Sequence, residues 1–463
     1  MTTVLAVPSY QADIAGVAQT TVGPPMGIAY LAGALLAADE PVALVDGNAE
    51  GLAPEALAAR ILALGPRLVG FTAATPTLHA CAATAEALRA RGFSGPVVFG
   101  GPHPSALPAD TLREVSACDV AVVGEAEGRI GPLVQALGAG RPPDLPGVHW
   151  RSSGSIRSGG PPPPPPDLDA LAPPARHLLP THLYRSPDSR RATTAVATRG
   201  CPAPCSYCQV PSLAGRRVRR RDPDAVAREL HDLFAAGHDH VNFVDDTFTW
   251  DDAWVRALCA ALHRRPRPSW QCLTRVDRVD AELLRVMRRA GCRRVEFGIE
   301  SGTEQGLARL NKHVTREQLV TAFDAARRAG LETMALAMVN APGEDAAAHR
   351  ATGRLIARLD PDQLQVSVCT PYPGTPLYDE AREAGRLRTA DWSRYRFLRD
   401  VVYDNGALSA DAVHSARTRL LRRFYLRPRT IARTVRRLAD PHQDRRALLT
   451  AAVSGARALL RGG

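Results

Sequence analysis

The chain has 463 residues, 45% of them apolar and 23% charged, which suits a folded protein of two large domains, or two plus a small appendage. No run reaches the roughly 18 apolar residues of a membrane span. Met1–Val7 lacks the basic start of a signal peptide and reads as a strand, so the expected compartment is the cytoplasm. The net charge is +11, and the positive charge is arginine except for Lys312. The excess gathers in Arg216–Arg221 and beyond Arg417, where it reads as a solvated helical face rather than a nucleic-acid surface.

Short apolar runs at Val4–Val7, Val42–Val45, Leu68–Thr72, Val97–Phe99 and Val120–Val123 alternate with helical patterns at Gly27–Ala38, Pro54–Leu64 and Thr77–Arg91. Buried strands alternating with helices predict a parallel sheet covered on both faces. Residues 1–140 are thus expected to form an α/β, flavodoxin-like doubly wound domain. Its ligand site would lie outside the carboxyl ends of the strands, at the switch point in strand order.

Residues 141–189 read as a linker. Arg151–Gly160 is rich in Ser and Gly, and Pro161–Pro166 is an unbroken proline run, a stiff spacer of roughly 19 Å as polyproline II. Over residues 190–395 the alternation resumes. Strands are expected at Thr193–Thr198, His240–Val244, Ser269–Leu273, Arg294–Ile299, Thr333–Val339 and Gln363–Cys369, with helices between them. Six such units predict a partial (β/α)6 barrel with its chemistry at the carboxyl ends of the strands. Residues 396–463 read as a short, Arg-rich helical tail. Its stretch Leu420–Leu438 mixes Arg with apolar residues and is expected to pack back on the barrel; a membrane surface is the alternative.

Nine cysteines, an odd number, argue against a disulfide framework. Cys81, Cys118, Cys259, Cys272, Cys292 and Cys369 are scattered and read as small core residues. The other three sit in Thr198-Arg-Gly-Cys201-Pro-Ala-Pro-Cys205-Ser-Tyr-Cys208, spaced C-x3-C-x2-C directly after an apolar strand. Three thiolates on one tight loop hold three irons of a [4Fe–4S] cubane. The fourth iron keeps an open position, as open catalytic metal sites do. Structural zinc wants four ligands, usually in two pairs, and no second pair follows.

The loop resembles the signature of radical SAM enzymes, with Tyr207 fitting the aromatic before the last cysteine. The resemblance covers roughly residues 190–395. It implies that Cys201, Cys205 and Cys208 ligate the cluster and that the open iron chelates S-adenosylmethionine. Further contacts to that cofactor are implied, in order along the barrel, for Asp245 and Asp246, Arg275, Glu300 and Ser301 (facing the ribose), and Pro342 and Gly343. Asn340 stands where the family more often has glycine.

The amino-terminal domain adds a second resemblance, to the cobalamin-dependent branch of that family. It rests on Pro24–Leu31, Asp46–Ala49, Gly70–Thr72, Val98–Pro104 and Val123–Glu127. Gly100 and Gly101, and likewise Gly124 beside Glu125, let backbone approach a flat corrin where a Cβ would hold it off. Thr72, Thr75 and Thr77 offer hydroxyls toward its lower face. The Asp-x-His-x-x-Gly motif is absent, so base-off cobalamin without a protein histidine is expected; His103 and His79 are not assigned to cobalt. The methylthiotransferase branch needs three cysteines here, and only Cys81 and Cys118 are present. A domain that binds nothing and only shapes the site is the remaining alternative.

Together the resemblances imply a cobalamin-dependent radical SAM methyltransferase. It would act on an unactivated carbon of a small, natural-product substrate through a 5′-deoxyadenosyl radical and methylcobalamin. An oxidative cyclase or rearrangement enzyme with the same cofactors is the alternative, and a cluster-bearing sensor a more distant one. Tyr372 and Thr375, after the last strand, are the candidate substrate residues. The implied partners are the small-molecule substrate and an external electron donor of flavodoxin or ferredoxin type, with no nucleic acid, and the chain is expected to be a monomer.

Overall fold

The alternation of apolar runs and helical periods resolves into two separate sheets. The computed structural model describes residues 2–9, 23–184, 186, 189, 191–263, 268–439, 444–446 and 448–449. In chain order the first unit comprises β1 (Thr2–Val7), α1 (Met26–Ala37), β2 (Val42–Asp46), α2 (Pro54–Leu62), β3 (Pro66–Thr72), α3 (Leu78–Ala90), β4 (Val97–Gly100), α4 (Pro102–Ala106), α5 (Pro108–Glu114), β5 (Val120–Val122) and α6 (Ile130–Gly138). Its strands run in the order β2-β1-β3-β4-β5, all parallel. The order reverses between β1 and β3, which opens a crevice beyond their carboxyl ends.

Part of the expected linker belongs to this sheet. β6 (Val148–Ser152) pairs antiparallel with β5, and β7 (Ser155–Ser158) with β6. Ser153 and Gly154 join them with φ of 48° and 77°. Positive φ at both central residues is what a two-residue hairpin turn requires, so the Ser/Gly composition marks a tight turn and not a loose spacer. The proline run is tied down as well: the Pro166 carbonyl accepts from Arg219 at 2.9 Å.

The second unit is built from β8 (Ala192–Ala195), β9 (Thr198–Arg199), α7 (Val210–Leu213), β10 (Arg219–Arg220), α8 (Pro223–Ala235), β11 (His240–Phe243), α9 (Asp252–Ala261), β12 (Trp270–Thr274), α10 (Ala281–Arg289), β13 (Cys292–Glu300), α11 (Glu304–Arg309), α12 (Arg316–Arg328), β14 (Glu332–Val339), α13 (Ala346–Leu359), β15 (Gln363–Val368), α14 (Pro376–Glu383), α15 (Ala410–Tyr425) and α16 (Pro428–Ala439). Six parallel strands, β8-β11-β12-β13-β14-β15, form an open half-barrel. Asp222, Asp251, Asp280, Thr303, Thr315, Asp345, Thr375 and Ser409 cap the helices that start beside them, each accepting a first-turn N–H. Each such cap contributes about 1 kcal/mol and fixes where the preceding strand-end loop stops. The described helices of the amino-terminal unit have no side-chain caps, and α2, α4 and α5 instead start with Pro54, Pro102 and Pro108, whose φ is already helical.

The tail is helical as expected, in α15 and α16. The segment before α15 crosses back to the first unit. Tyr378, Trp392, Tyr395 and Val402 are buried in the core formed by Val4, Phe71, Leu88 and Phe99. The Trp392 indole donates to Glu114 at 2.7 Å and meets the buried His103 ring edge-on at 5.0 Å between centroids. Along α15, Val413, Ala416, Leu420 and Phe424 pack on the barrel core. Residues 450–463 of the tail lie outside the described residues.

Burial lowers the His103 pKa to about 4, with His79 adding to the effect and Asp110 opposing it. A base whose folded pKa lies below its unfolded value of about 6.5 holds stability above that value and loses it as pH falls toward 4, by about 2 kcal/mol between pH 7 and 5. Buried carboxyls such as Asp46 are raised and shift stability the opposite way, so the readout is a difference. His103→Gln should show a smaller loss of denaturant stability from pH 7 to 5 than the parent chain. Equal losses would mean that His103 does not titrate this way.

Candidate active site

The cysteine loop hangs between β9 and β10, a two-residue antiparallel pair, and Asp245 sets its position. The first barrel strand stops at Ala195 because Asp245, at the end of β11, accepts the N–H groups of Ala197 (2.9 Å) and Thr198 (2.7 Å) and the Thr198 hydroxyl (2.8 Å). Burial pushes the Asp245 carboxyl up to about 7 against those three bonds. Asp246 then accepts the Gly200 N–H at 2.7 Å, one residue before the first cysteine.

Cys201, Cys205 and Cys208 line one cavity of about 430 Å³ at the carboxyl ends of the barrel strands. The Thr247 hydroxyl lies 3.4 Å from Cys201 Sγ, and Arg275 Nη1 lies 3.6 Å from Cys205 Sγ. Burial pushes the Cys208 thiol up to about 11. Among the described residues no three His, Cys, Asp or Glu side chains converge as around a single metal ion.

Tyr207, Asp245, Asp246, Arg275, Glu300 and Tyr372 line the same cavity. Glu300 reaches it through a local irregularity. The β13–β14 register slips between Gly298 and Glu300, and Glu300 itself has φ 51°; such bulges re-aim side chains beside active sites. Its carboxylate accepts from the Tyr207 hydroxyl at 2.9 Å and from Lys312 Nζ at 2.8 Å. Burial works against the Lys312 charge, but Glu300 and Cys205 together outweigh it and hold the ammonium above its usual pKa. Arg275 forks onto Asp277 (2.8 and 3.2 Å) and donates to the Lys312 carbonyl at 2.7 Å. Lys312, Thr247 and Cys369 also line the cavity without having been singled out as site residues. Of these, Lys312 carried a signal, as the one lysine in an arginine-rich chain.

Four expected residues lie elsewhere. Ser301 is buried behind the strand end, donating to Glu344 and meeting Thr303 at 3.1 Å. Pro342 and Gly343 fasten the loop after β14: the Pro342 carbonyl accepts from Arg309 at 3.0 Å, and the Gly343 N–H donates to Asn405 O at 2.9 Å. Thr375 is the cap of α14, accepting from the Tyr378 N–H at 3.2 Å and donating to the Tyr372 carbonyl at 2.6 Å.

A second cavity, of about 410 Å³, lies between the units, at the switch point of the first sheet. Thr72, Gly100, Gly101, Gly124 and Glu125 line it. A Cβ on Gly100 would project into open space, and Gly101 and Gly124 have φ of 98° and 71°, a region that side chains rarely adopt. Ile28, Leu31, Phe71 and Val122 make its walls apolar, while Val196, Thr198, Arg199, Leu213, Val244 and Asp246 face them from the barrel side. Thr75 and Thr77 are not among the lining residues. Thr75 Oγ1 contacts His103 Nδ1 at 3.3 Å, and Thr77 Oγ1 accepts the Ala74 N–H at 3.0 Å; both hydroxyls are used in building the loop. Glu125 reaches the rim but is held by Arg219 and, at 3.1 Å, by Arg199, which also pairs with Glu127 at 2.7 Å.

The two units match known families separately. Residues 196–356 match the radical SAM superfamily and residues 13–133 the B12 binding domain. Over 440 residues the chain is 30% identical to an uncharacterised methyltransferase of Pyrococcus horikoshii, which spans 94% of this chain and 95% of that one. The chain belongs to the cobalamin-binding radical SAM enzymes. Its cofactors are a [4Fe–4S] cluster, S-adenosylmethionine and cobalamin. This radical SAM enzyme is also 27% identical over 415 residues to the anaerobic magnesium-protoporphyrin IX monomethyl ester cyclase of Cereibacter sphaeroides, covering 87% of this chain and 67% of the other. Its fold is that of TsrM, a radical S-adenosylmethionine methyltransferase of Kitasatospora setae, with a TM-score of 0.73 at 20% identity over 94% of this chain and 90% of that one.

Lys312 and Glu300 form a buried pair, both side chains under a tenth exposed. Breaking one member of such a pair costs about 3–5 kcal/mol, whereas replacing both by apolar groups is near neutral. Lys312→Met should therefore lower unfolding stability by that amount, and K312M/E300L should recover most of it in the same denaturant titration. A double variant no better than the single one would show that the pair is not what the site depends on.

Proposed function

We propose that this enzyme is a cobalamin-dependent methyltransferase that methylates an unactivated carbon of a small, natural-product-like molecule. The observation that carries the reading is Asp246, which lines both the cysteine cavity and the glycine-edged cavity. A substrate between the two units thus borders both at once. When bound, the cluster with S-adenosylmethionine supplies a radical that removes a hydrogen atom, and cobalamin supplies the methyl group.

The chain's own residues hold and shield that chemistry. Cys201, Cys205 and Cys208 are the proposed cluster ligands; their protons must leave on metal binding. Tyr207, Asp245, Arg275 and Glu300 are proposed around S-adenosylmethionine, with Lys312 neutralising Glu300. Thr72, Gly100, Gly101, Gly124 and Glu125 form the proposed corrin edge. Tyr372 borders the cluster cavity, its hydroxyl anchored to the Tyr395 carbonyl at 2.8 Å, and is the proposed substrate contact. An external flavodoxin- or ferredoxin-type donor supplies the electron, and the working form is a monomer.

The second reading, oxidative cyclisation with the same cofactors, is supported by the likeness to the cyclase relative. Product mass with methyl-labelled S-adenosylmethionine separates the two. A labelled product heavier by one methylene supports methyl transfer, and loss of hydrogens without label rejects it. The cofactor assignments are tested by a pair of variants. Gly100→Phe should fill the second cavity and abolish cobalamin retention while keeping iron and sulfide content. Cys205→Ala should do the reverse. If Gly100→Phe retains cobalamin at parent levels, the corrin lies elsewhere.

A further inference from the structure

Helix α16 is inside out. On α16 the exposed positions are Pro428, Arg429, Ile431, Ala432, Val435, Arg436 and Ala439, a helical stripe in which five of seven residues are apolar. The face toward the barrel is polar: Thr430 is buried, and Arg433 forks onto Asp360 at 2.8 Å and reaches Asp362 at 3.4 Å. A surface helix ordinarily buries its apolar stripe. Here Ile431 is 50% and Val435 59% exposed, and Leu426, just before the helix, is 63% exposed. Of the eight large apolar side chains exposed among the described residues, five lie between Tyr425 and Leu449. A contiguous apolar patch of this kind marks an interaction surface.

The charge around the stripe selects what covers it. From Ala412 to Leu438 there are nine arginines and no acidic residue. A cleft along α15, reaching Pro428 at the start of α16, is lined by Arg419, Arg422, Arg423, Leu426 and Arg427. A second copy would bring the same cationic face and be repelled. The chain's own residues 450–463 contain Arg457 and Arg461 and no acid, so they offer no complement either. An apolar stripe flanked by arginine is the pattern of a helix lying in the headgroup region of an anionic bilayer. We propose that α16, with the arginines of the cleft along α15, docks this enzyme on anionic lipid surfaces.

The test is sedimentation of the full-length, cluster-loaded chain with phosphatidylcholine vesicles and with the same vesicles carrying phosphatidylglycerol. Binding to the anionic vesicles should exceed that to neutral ones by about tenfold or more at low salt and weaken as salt screens the arginines. I431S/V435S, which alters only exposed side chains, should lower it at least about tenfold with helix content unchanged. Arg429→Glu with Arg436→Glu should abolish the preference for anionic vesicles. Three results would overturn the proposal: equal weak sedimentation with both vesicle types, parent-level binding by I431S/V435S, or a concentration-dependent dimer that I431S/V435S dissolves. Tight binding to an RNA homopolymer unaffected by the serine substitutions would overturn it too, assigning the arginines to nucleic acid.

Discussion

Two largely parallel sheets serve one reaction only when their carboxyl ends face each other, and four partly buried charges help hold them so. Glu125 and Glu127 follow the last parallel strand of the first unit; Arg199 and Arg219 flank the cysteine loop of the second. Arg199 also lies over the Tyr30 ring at 4.9 Å, so one guanidinium joins an acidic loop, a helix of the first sheet and the strand that leads into Cys201. Partial burial makes these pairs stronger than surface ones, since screening water is excluded. The planar guanidinium suits the geometry, because it serves two carboxylates and an aromatic face together.

The one lysine illustrates the complementary rule. Lys312 sits where a forked cation has no room: a Cβ on Gly298 would lie 2.7 Å from its Nζ. A compact ammonium fits that space and needs only one carboxylate, Glu300. Arginine and lysine are therefore used here for different shapes of charge, and the bias toward arginine across the chain does not reach the one place where shape forbids it.

Strand and helix positions and the cysteine loop were legible in the sequence because each follows from local pattern: period of apolar residues, spacing of thiols, glycine at a strand end. The expected residues that lie off the two cavities share a cause. Thr75, Thr77, Ser301 and Thr375 look like ligand hydroxyls in a one-dimensional reading, but Ser and Thr after a strand are equally the residues of caps and turns. Which role they take depends on a partner far along the chain or on the exact direction of the loop. The same holds for Ser153–Gly154, read as part of a linker until β5 supplies an edge for the hairpin to join. The Glu300–Lys312 contact was invisible for a different reason, since it depends on a bulge that turns one side chain inward.

The cross-over after the barrel has a consequence for how the molecule is made. Trp392, Tyr395 and Val402 complete the apolar interior of a unit whose first strand begins at Thr2. During synthesis that interior stays open on one side until nearly the whole chain has left the ribosome. The earlier part waits with an unfilled groove at Phe71, Leu88 and Phe99, and the late aromatic residues close it. The amino-terminal half is thus a template finished by the last third of the chain, and a truncated transcript ending before Trp392 would yield an exposed, adhesive half rather than a smaller working protein.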